Sequence, residues 1–119
     1  MTDRPTMLLV LLAEECVEVA QRCTKAIRFG LDEIQEGQAL TNAERLRQEL
    51  NDLDSVRAML EQEVGTDLSP CPQMIEAKLA KVEKYLGYSA ECGQLRTVDP
   101  PNAKIDIPRP RRRWWPWAA

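Results

Sequence analysis

The sequence contains no histidine, few aromatic residues and no long apolar run. Without histidine, the chain has no Ser-His-Asp or Cys-His nucleophile system and no histidine-ligated zinc site. Aromatic residues make up only 5% of the composition, so we expect a mainly aliphatic core. The groups that remain for catalysis are carboxylates, lysines, arginines, hydroxyls and thiols.

The longest apolar run has seven residues, 7–13, and Glu14 and Glu15 follow it at once. A run of this length is too short to cross a bilayer. Acidic residues also stand where a signal peptide would have its small-residue cleavage region. We therefore expect no transmembrane segment and no signal peptide.

The four cysteines form no CxxC pair. Cys16 and Cys23 lie seven residues apart in a helical pattern, which is too far for a disulfide between them. We therefore predict that Cys16, Cys23, Cys71 and Cys92 are all reduced thiols. Reduced thiols indicate an intracellular protein.

The chain has the length and composition of one soluble globular domain, with 119 residues, 44% apolar and 29% charged. Its formal net charge is −3. The last eleven residues contain four arginines and no acidic residue, so the preceding 108 residues carry −7. The body of the chain is therefore acidic and its tail basic.

Hydrophobic periodicity predicts three helices and no strand, which is an all-α fold. The helices are expected over about residues 5–29, 41–64 and 70–86, and Gly30 follows the first. Thr41 and Glu44 match a capping box at the start of the second helix. The third is expected to begin near Ser69-Pro70 and to end at Leu86. In the first helix, the stripe expected to face the core is formed by Leu9, Leu12, Cys16, Val19, Cys23 and Ala26.

The helical pattern ends after Cys92, so we predict a helical domain over residues 1–96 and a Pro-rich tail over 97–119 that is extended or disordered. The segment Arg109–Trp117 contains four arginines and all three tryptophans. This combination suits single-stranded nucleic acid, an anionic membrane surface or an acidic partner subunit. A solvated tail without a partner is the alternative.

A second line of the first helix changes from apolar to acidic to basic residues: Leu8, Leu11, Glu15, Glu18, Arg22 and Lys25. Glu15 and Glu18 are three residues apart on this line, and Glu49 and Asp52 repeat the spacing on the second helix. If the two helices pack antiparallel, the four carboxylates meet in the middle of the bundle, where unpaired negative charge is costly.

A bound divalent cation would offset this repulsion. Oxygen ligands favour Mg²⁺ or Mn²⁺, and Ca²⁺ is compatible with the same ligand type. Lys25 and Arg28 lie beyond Glu18 on the same helix, where a metal-bound polyphosphate would need positive charge. Solvated acidic pairs and ordinary surface ion pairs explain the same residues without a ligand.

The segments Glu14-Glu15-Cys16-Val17-Glu18 and Glu49-Leu50-Asn51-Asp52 resemble the EExxE…ExxD signature of the all-α nucleoside triphosphate pyrophosphohydrolases. The resemblance is to the MazG-like proteins, including short ones carried by phages, and covers about residues 7–88. Two features depart from the family pattern. The motifs are about thirty residues apart, and Asn51 stands where the family commonly has glycine.

The resemblance implies a helical bundle whose four-helix core is completed by forming a homodimer or homotetramer. It also implies cleavage of a (deoxy)nucleoside triphosphate to monophosphate and pyrophosphate, for control of nucleotide pools. Mg²⁺, or Mn²⁺ in its place, would be held by Glu15, Glu18, Glu49 and Asp52. The catalytic residues would be Glu14, which orients water, and Glu15. The substrate would contact Lys25, Arg28, Lys81, Lys84 and Tyr85.

Two other functions stay open at this point. One is a non-enzymatic helical interaction protein whose tail binds nucleic acid or a partner. The other keeps the hydrolase fold but acts on an alarmone or another signalling nucleotide. For the hydrolase, the expected location is the cytoplasm of a bacterium or of a phage-infected host cell.

Overall fold

The computed structural model describes residues 1–96, which form three α-helices and no strand. They are α1 (Arg4–Phe29), α2 (Asn42–Val64) and α3 (Pro72–Glu91). The predicted all-α fold is confirmed for these residues. The Pro-rich tail, including Arg109–Trp117, lies outside them. The chain divides after residue 69 into two units, and the single domain over residues 1–96 stays a prediction.

Local capping signals set the ends of α1. The Asp3 carboxylate accepts a hydrogen bond from the backbone N–H of Thr6 at 2.8 Å, which satisfies one of the free donors of the first turn. At the other end, Gly30 has a φ of 97° and donates its N–H to the carbonyl of Ala26. A side chain at residue 30 would be strained in this conformation, so glycine suits the exit from the helix.

The start of α2 is the predicted capping box. The Glu44 N–H donates to the Thr41 hydroxyl at 3.1 Å, and the Thr41 N–H donates to the Glu44 carboxylate at 3.0 Å. The helix ends at Gly65, which is left-handed with a φ of 66° and donates to the carbonyl of Glu61. Both ends of α2 therefore follow from short-range sequence signals.

The helices α1 and α2 pack antiparallel. Arg4, at the start of α1, forms a 3.0 Å ion pair with Glu63, near the end of α2. At the other end of the pair, the Asn42 amide donates to the carbonyl of Gly30 and to the carboxylate of Glu33, both at 2.8 Å. Asn42 is only 2% exposed, so it joins the start of α2 to the connecting loop from inside the structure.

The surface between these helices, here called the seam, is formed by residues that recur at alternating spacings of three and four. On α1 it contains Pro5, Leu8, Leu12, Glu15, Val19, Arg22 and Ala26. On α2 it contains Asn42, Leu46, Glu49, Leu53, Val56 and Leu60. Charged residues thus occupy its middle, and the buried apolar residues of the described part of the chain are only Leu8, Ala26 and Leu60.

The predicted apolar stripe of α1 is only half correct. Leu12, Val19 and Ala26 lie in the seam, whereas Leu9, Cys16 and Cys23 are exposed. The apolar surface of α1 is wider than one neighbouring helix can cover. As a result, α2 packs on the line that contains Leu8 and the charged residues and leaves the outer part of the stripe in solvent.

The predicted bounds of α3 are wrong at both ends. The helix begins at Pro72, and its N-cap Cys71 makes no side-chain capping bond. The Ser69 hydroxyl donates instead to Asp67. The helix also continues past Leu86, because a single glycine at residue 87 weakens a helix without ending it. No residue of α3 is buried. None of the helices in the described part of the chain is long and apolar enough to span a membrane.

Candidate metal centre

Three carboxylates meet in the middle of the seam. Glu15 and Glu18 project from successive turns of α1, and Glu49 lies across from them on α2. One oxygen of each lies within 4.8 Å of the others. Glu15 and Glu49 are half-buried, and Glu18 is exposed. The antiparallel packing of two i,i+3 acidic pairs therefore places acidic groups from both helices at one point, as the spacing predicts.

The environment of this cluster opposes ionisation. Burial raises the pKa of Glu15 and of Glu49 above the ordinary value of 4.5, and the neighbouring Glu18 raises both further through its charge and a hydrogen bond. Removing a carboxylate from water and placing it beside another negative charge both favour its neutral form. The three carboxylates repel one another when they are ionised, and a cation bound among them would offset this repulsion.

The fit of a divalent cation rests on a polar atom without a partner. The Oε2 atom of Glu15 is buried and accepts no hydrogen bond from any described residue. None of the three clustered carboxylates forms a salt bridge within residues 1–96. Buried polar atoms are normally satisfied, so such an atom requires an explanation. An oxygen-only cluster with an unsatisfied oxygen has the chemistry that suits Mg²⁺ or Mn²⁺.

The other predicted acidic residues lie at the edge of this cluster. Asp52 is exposed and outside the group of three, yet its charge raises the pKa of both Glu15 and Glu49, so it lies near them. Glu14 is exposed and outside the group as well. Metal binding by Asp52 and orientation of water by Glu14 stay predictions.

Arg22 is a site residue to which the sequence analysis gave no role. Its side chain is buried, with 8% exposed, and its Nη1 atom has no hydrogen-bond partner among the described residues. Its positive charge lowers the pKa of Glu49, against the larger effect of burial. Arg22 follows Glu18 by four residues, about one helical turn, and this spacing could have predicted a guanidinium beside the carboxylates.

The predicted basic residues Lys25 and Arg28 line a groove of about 400 Å³ at the loop end of the helix pair. The groove is completed by Phe29, Glu33, Gln35 and Asn42. The Arg28 guanidinium lies 4.9 Å from the centre of the Phe29 ring, within the range of a cation–π contact. This groove therefore joins positive charge to an aromatic ring about two to three turns beyond Glu18.

The three predicted substrate residues of the third helix belong to the second unit. Lys81, Lys84 and Tyr85 are exposed on α3. Lys84 and Tyr85 border a shallow hollow that is lined by residues of α3 alone, among them Tyr88. Contact of these residues with a substrate stays a prediction.

Comparison with known proteins adds no relative. No family model, no curated protein and no solved structure matches this chain. The geometry of the seam and the sequence motifs are therefore the grounds for a functional hypothesis.

Proposed function

We propose that this chain is a metal-dependent nucleotide pyrophosphohydrolase that cleaves a nucleoside triphosphate to monophosphate and pyrophosphate. The observation that carries the proposal is the group of three carboxylates, Glu15, Glu18 and Glu49, with the unsatisfied Oε2 of Glu15 among them. Helical bundles build metal sites from carboxylates and other side chains that project inward from facing helices.

In this proposal, Glu15, Glu18 and Glu49 would hold Mg²⁺ or Mn²⁺, and Asp52 would complete the ligand set. An ion held there would supply Lewis-acid chemistry for phosphate oxygens and would lower the pKa of a bound water. Glu14, one residue before the first ligand and exposed, would orient the attacking water. The water would attack the α phosphorus and release its proton, and the bond from this phosphorus to the oxygen that bridges to the β phosphate would break, so that nucleoside monophosphate and pyrophosphate leave.

The positive groups near the cluster then contact the phosphates. Arg22 has a free Nη1 donor in the seam, where the charge that develops on a phosphate oxygen would find a fixed partner. Lys25 is half-buried and lines the basic groove with Arg28. A substrate would therefore lie along α1 from the carboxylates towards the loop.

Pyrophosphate release from a panel of ribo- and deoxyribonucleoside triphosphates tests the proposal. Activity is expected with Mg²⁺ or Mn²⁺ and not with EDTA. The variant Glu49→Gln should lose roughly 100-fold or more in turnover, because it removes a charged metal ligand, while its circular dichroism stays helical. Glu63→Gln is the matched control on the same helix. It removes only the exposed ion pair with Arg4 and should keep its activity.

Two results would count against this function. Normal turnover by Glu49→Gln would show that the carboxylate cluster does not carry the reaction. No pyrophosphate release from a folded protein would favour the helical interaction protein. Alarmones and other signalling nucleotides belong in the same panel, because activity on them alone would keep the hydrolase and change its substrate.

A further inference from the structure

The basic groove at the loop end of the helix pair contains charged groups of both signs that do not pair. Lys25, Arg28 and Glu33 all line it. Within residues 1–96, neither of the two cations forms a salt bridge with Glu33 or with any other carboxylate. Charged groups that share a cavity without pairing stay available to a ligand that carries both an anionic part and hydrogen-bond donors.

The carboxylate of Glu33 is held in place by Asn42. The Asn42 amide donates to Oε2 of Glu33 at 2.8 Å, and the Asn42 backbone N–H donates to the Glu33 carbonyl at 3.0 Å. Asn42 is itself buried, and Glu33 is half-buried. The Oε1 atom of Glu33 accepts no hydrogen bond from a described residue. The loop therefore presents a fixed acceptor to the groove.

Gln35 presents a donor to the same groove. Its Oε1 atom accepts a hydrogen bond from Nη1 of Arg45 at 3.2 Å, which assigns the other end of the amide as the NH₂ group. This NH₂ group donates to no described residue. An unused donor from Gln35 thus accompanies the acceptor from Glu33, and both residues line the groove.

The Phe29 ring supplies a flat apolar surface between these polar groups. Its side chain is 53% exposed, and the Arg28 guanidinium lies over the ring at 4.9 Å from the ring centre. Nucleobases stack on exposed aromatic rings, and stacking alone distinguishes poorly between bases because every base has a flat face. Discrimination would therefore come from Glu33 and Gln35.

The hydrogen-bonding groups of the groove match guanine better than the other common bases. Guanine has two neighbouring donors, the ring N1–H and the exocyclic amino group, beside the O6 acceptor. An ionised carboxylate only accepts hydrogen bonds, so Glu33 can take both donors while the Gln35 amide donates to O6. Adenine and cytosine place an acceptor nitrogen beside their amino group, and uracil and thymine place carbonyls on both sides of their N–H. Each of these would turn an acceptor towards Glu33.

The groove also lies at a suitable distance from the candidate metal centre. Lys25 follows Glu18 by seven residues on α1, and Asn42 precedes Glu49 by seven residues on α2. Both separations correspond to about 10 Å at 1.5 Å per residue. The cavity of about 400 Å³ is of a size that small-molecule sites commonly have. One nucleotide can therefore reach from the carboxylates to the loop.

We propose that the basic groove binds the guanine base of a nucleotide. Glu33 accepts hydrogen bonds from N1–H and from the amino group, Gln35 donates to O6, and Phe29 stacks on the ring. Asn42 is a positioning residue that acts through Glu33. The choice of a nucleotide as ligand rests on the proposed function, and the groove adds to that function the base that is preferred.

Equilibrium dialysis of the full-length chain in EDTA tests the groove without any turnover. The probes are guanosine, inosine and adenosine monophosphates. Inosine monophosphate differs from guanosine monophosphate only by the missing amino group. The guanine nucleotide should bind roughly 10-fold or more tightly than either of the others, because each of them loses at least one hydrogen bond to a charged acceptor. Equal binding of the three, or no binding of guanosine monophosphate, would contradict the proposal.

Variants identify the residues that carry the preference. Glu33→Gln keeps the shape of the side chain and an acceptor for Asn42, but replaces one accepting oxygen by a donor. It should therefore abolish the preference for guanosine over inosine monophosphate. Glu36→Gln is the matched control, since Glu36 is exposed on the same loop and is not among the residues that line the groove. Phe29→Leu should weaken all three nucleotides by roughly 10-fold and keep their order. A preference that survives in Glu33→Gln would contradict the role of Glu33.

Turnover with Mg²⁺ separates failure of the groove from failure of the hydrolase. The expected result is a kcat/KM for GTP that exceeds that for ITP by roughly 10-fold or more, with the difference lost in Glu33→Gln. Selective binding of guanosine monophosphate without release of pyrophosphate from any nucleotide would support the groove and reject the hydrolase. Equal kcat/KM values for GTP and ITP in the wild type would reject the groove and leave the hydrolase standing.

Discussion

The middle of the α1–α2 seam differs sharply from its two ends. At one end, Leu8 and Leu60 are buried apolar side chains. At the other end, Ala26 is buried and Asn42 has partners for both of its amide hydrogens. The middle instead carries carboxylates and a guanidinium with unsatisfied atoms. The ends therefore hold the helices together, and the middle keeps costly polar groups in place. Such a division is typical of a functional site.

Removal of a buried leucine at one end should give the largest change in stability. Leu60 is 3% exposed. Truncation to alanine leaves a cavity and is expected to lower the free energy of unfolding by about 2–5 kcal/mol. Urea denaturation followed by circular dichroism measures this change. Leu50→Ala is the matched control, since Leu50 is 47% exposed on the same helix. If Leu60→Ala lowered the free energy of unfolding as little as Leu50→Ala does, the claim that buried apolar side chains hold this end of the seam together would be wrong.

Loss of the Asn42 side chain at the other end should have the next largest effect. Asn42→Ala leaves the carbonyl of Gly30 and the carboxylate of Glu33 without their 2.8 Å partner. Each buried group left unsatisfied costs about 1–3 kcal/mol. The same denaturation experiment measures this loss. Asn51→Ala is the comparison, because Asn51 is exposed on α2 and bonds only within its own helix. The account is wrong if Asn51→Ala destabilises the fold more than Asn42→Ala.

The middle of the seam should respond to pH in the direction set by its raised pKa values. Glu15 and Glu49 hold protons more tightly in the folded chain than their ordinary value of 4.5. The stability that they contribute is therefore complete below pH 4.5 and is lost as the pH rises through their folded pKa values. The metal-free chain should accordingly become less stable from pH 4.5 to 7. The pKa values of Asp3 and Asp67 are lowered from 3.8, so the stability that these residues contribute changes with pH only below that range.

Thermal unfolding in EDTA across this pH range measures the effect. Glu15→Gln should flatten the pH dependence and raise the melting temperature at pH 7, because it removes one ionised carboxylate from the cluster. In Mg²⁺ at pH 7 the wild type should instead have the higher melting temperature, because only the wild type keeps all its metal ligands. A melting temperature of the wild type that rises with pH in EDTA would contradict the cause assigned to the raised pKa values.

Short-range signals account for what the sequence predicted well. Thr41 and Glu44 are three residues apart, and their reciprocal bonds need no information from the rest of the chain. The meeting of Glu15, Glu18 and Glu49 followed from two i,i+3 pairs and one assumption, that the helices are antiparallel. Periodicity together with that one assumption is enough for such a prediction.

What the sequence could not decide was which of two neighbouring lines of α1 faces α2. Both lines begin with leucine, and the more apolar one, with Cys16 and Cys23, was the natural choice. The structure leaves both cysteines exposed and buries Arg22 instead. The choice depends on how much apolar surface a single neighbour can cover, which is a tertiary property. Asn42 was missed for a similar reason, since its partners Gly30 and Glu33 lie across a loop.

Direct metal binding tests the central claim, that the middle of the seam is a metal centre. Mn²⁺ binding to the metal-free chain can be followed by electron paramagnetic resonance, with Glu49→Gln and Glu63→Gln measured beside it. The account predicts saturable binding by the wild type and by Glu63→Gln that is competed by Mg²⁺ and lost in Glu49→Gln. Absence of binding to the folded wild type, or equal binding by Glu49→Gln, would contradict it.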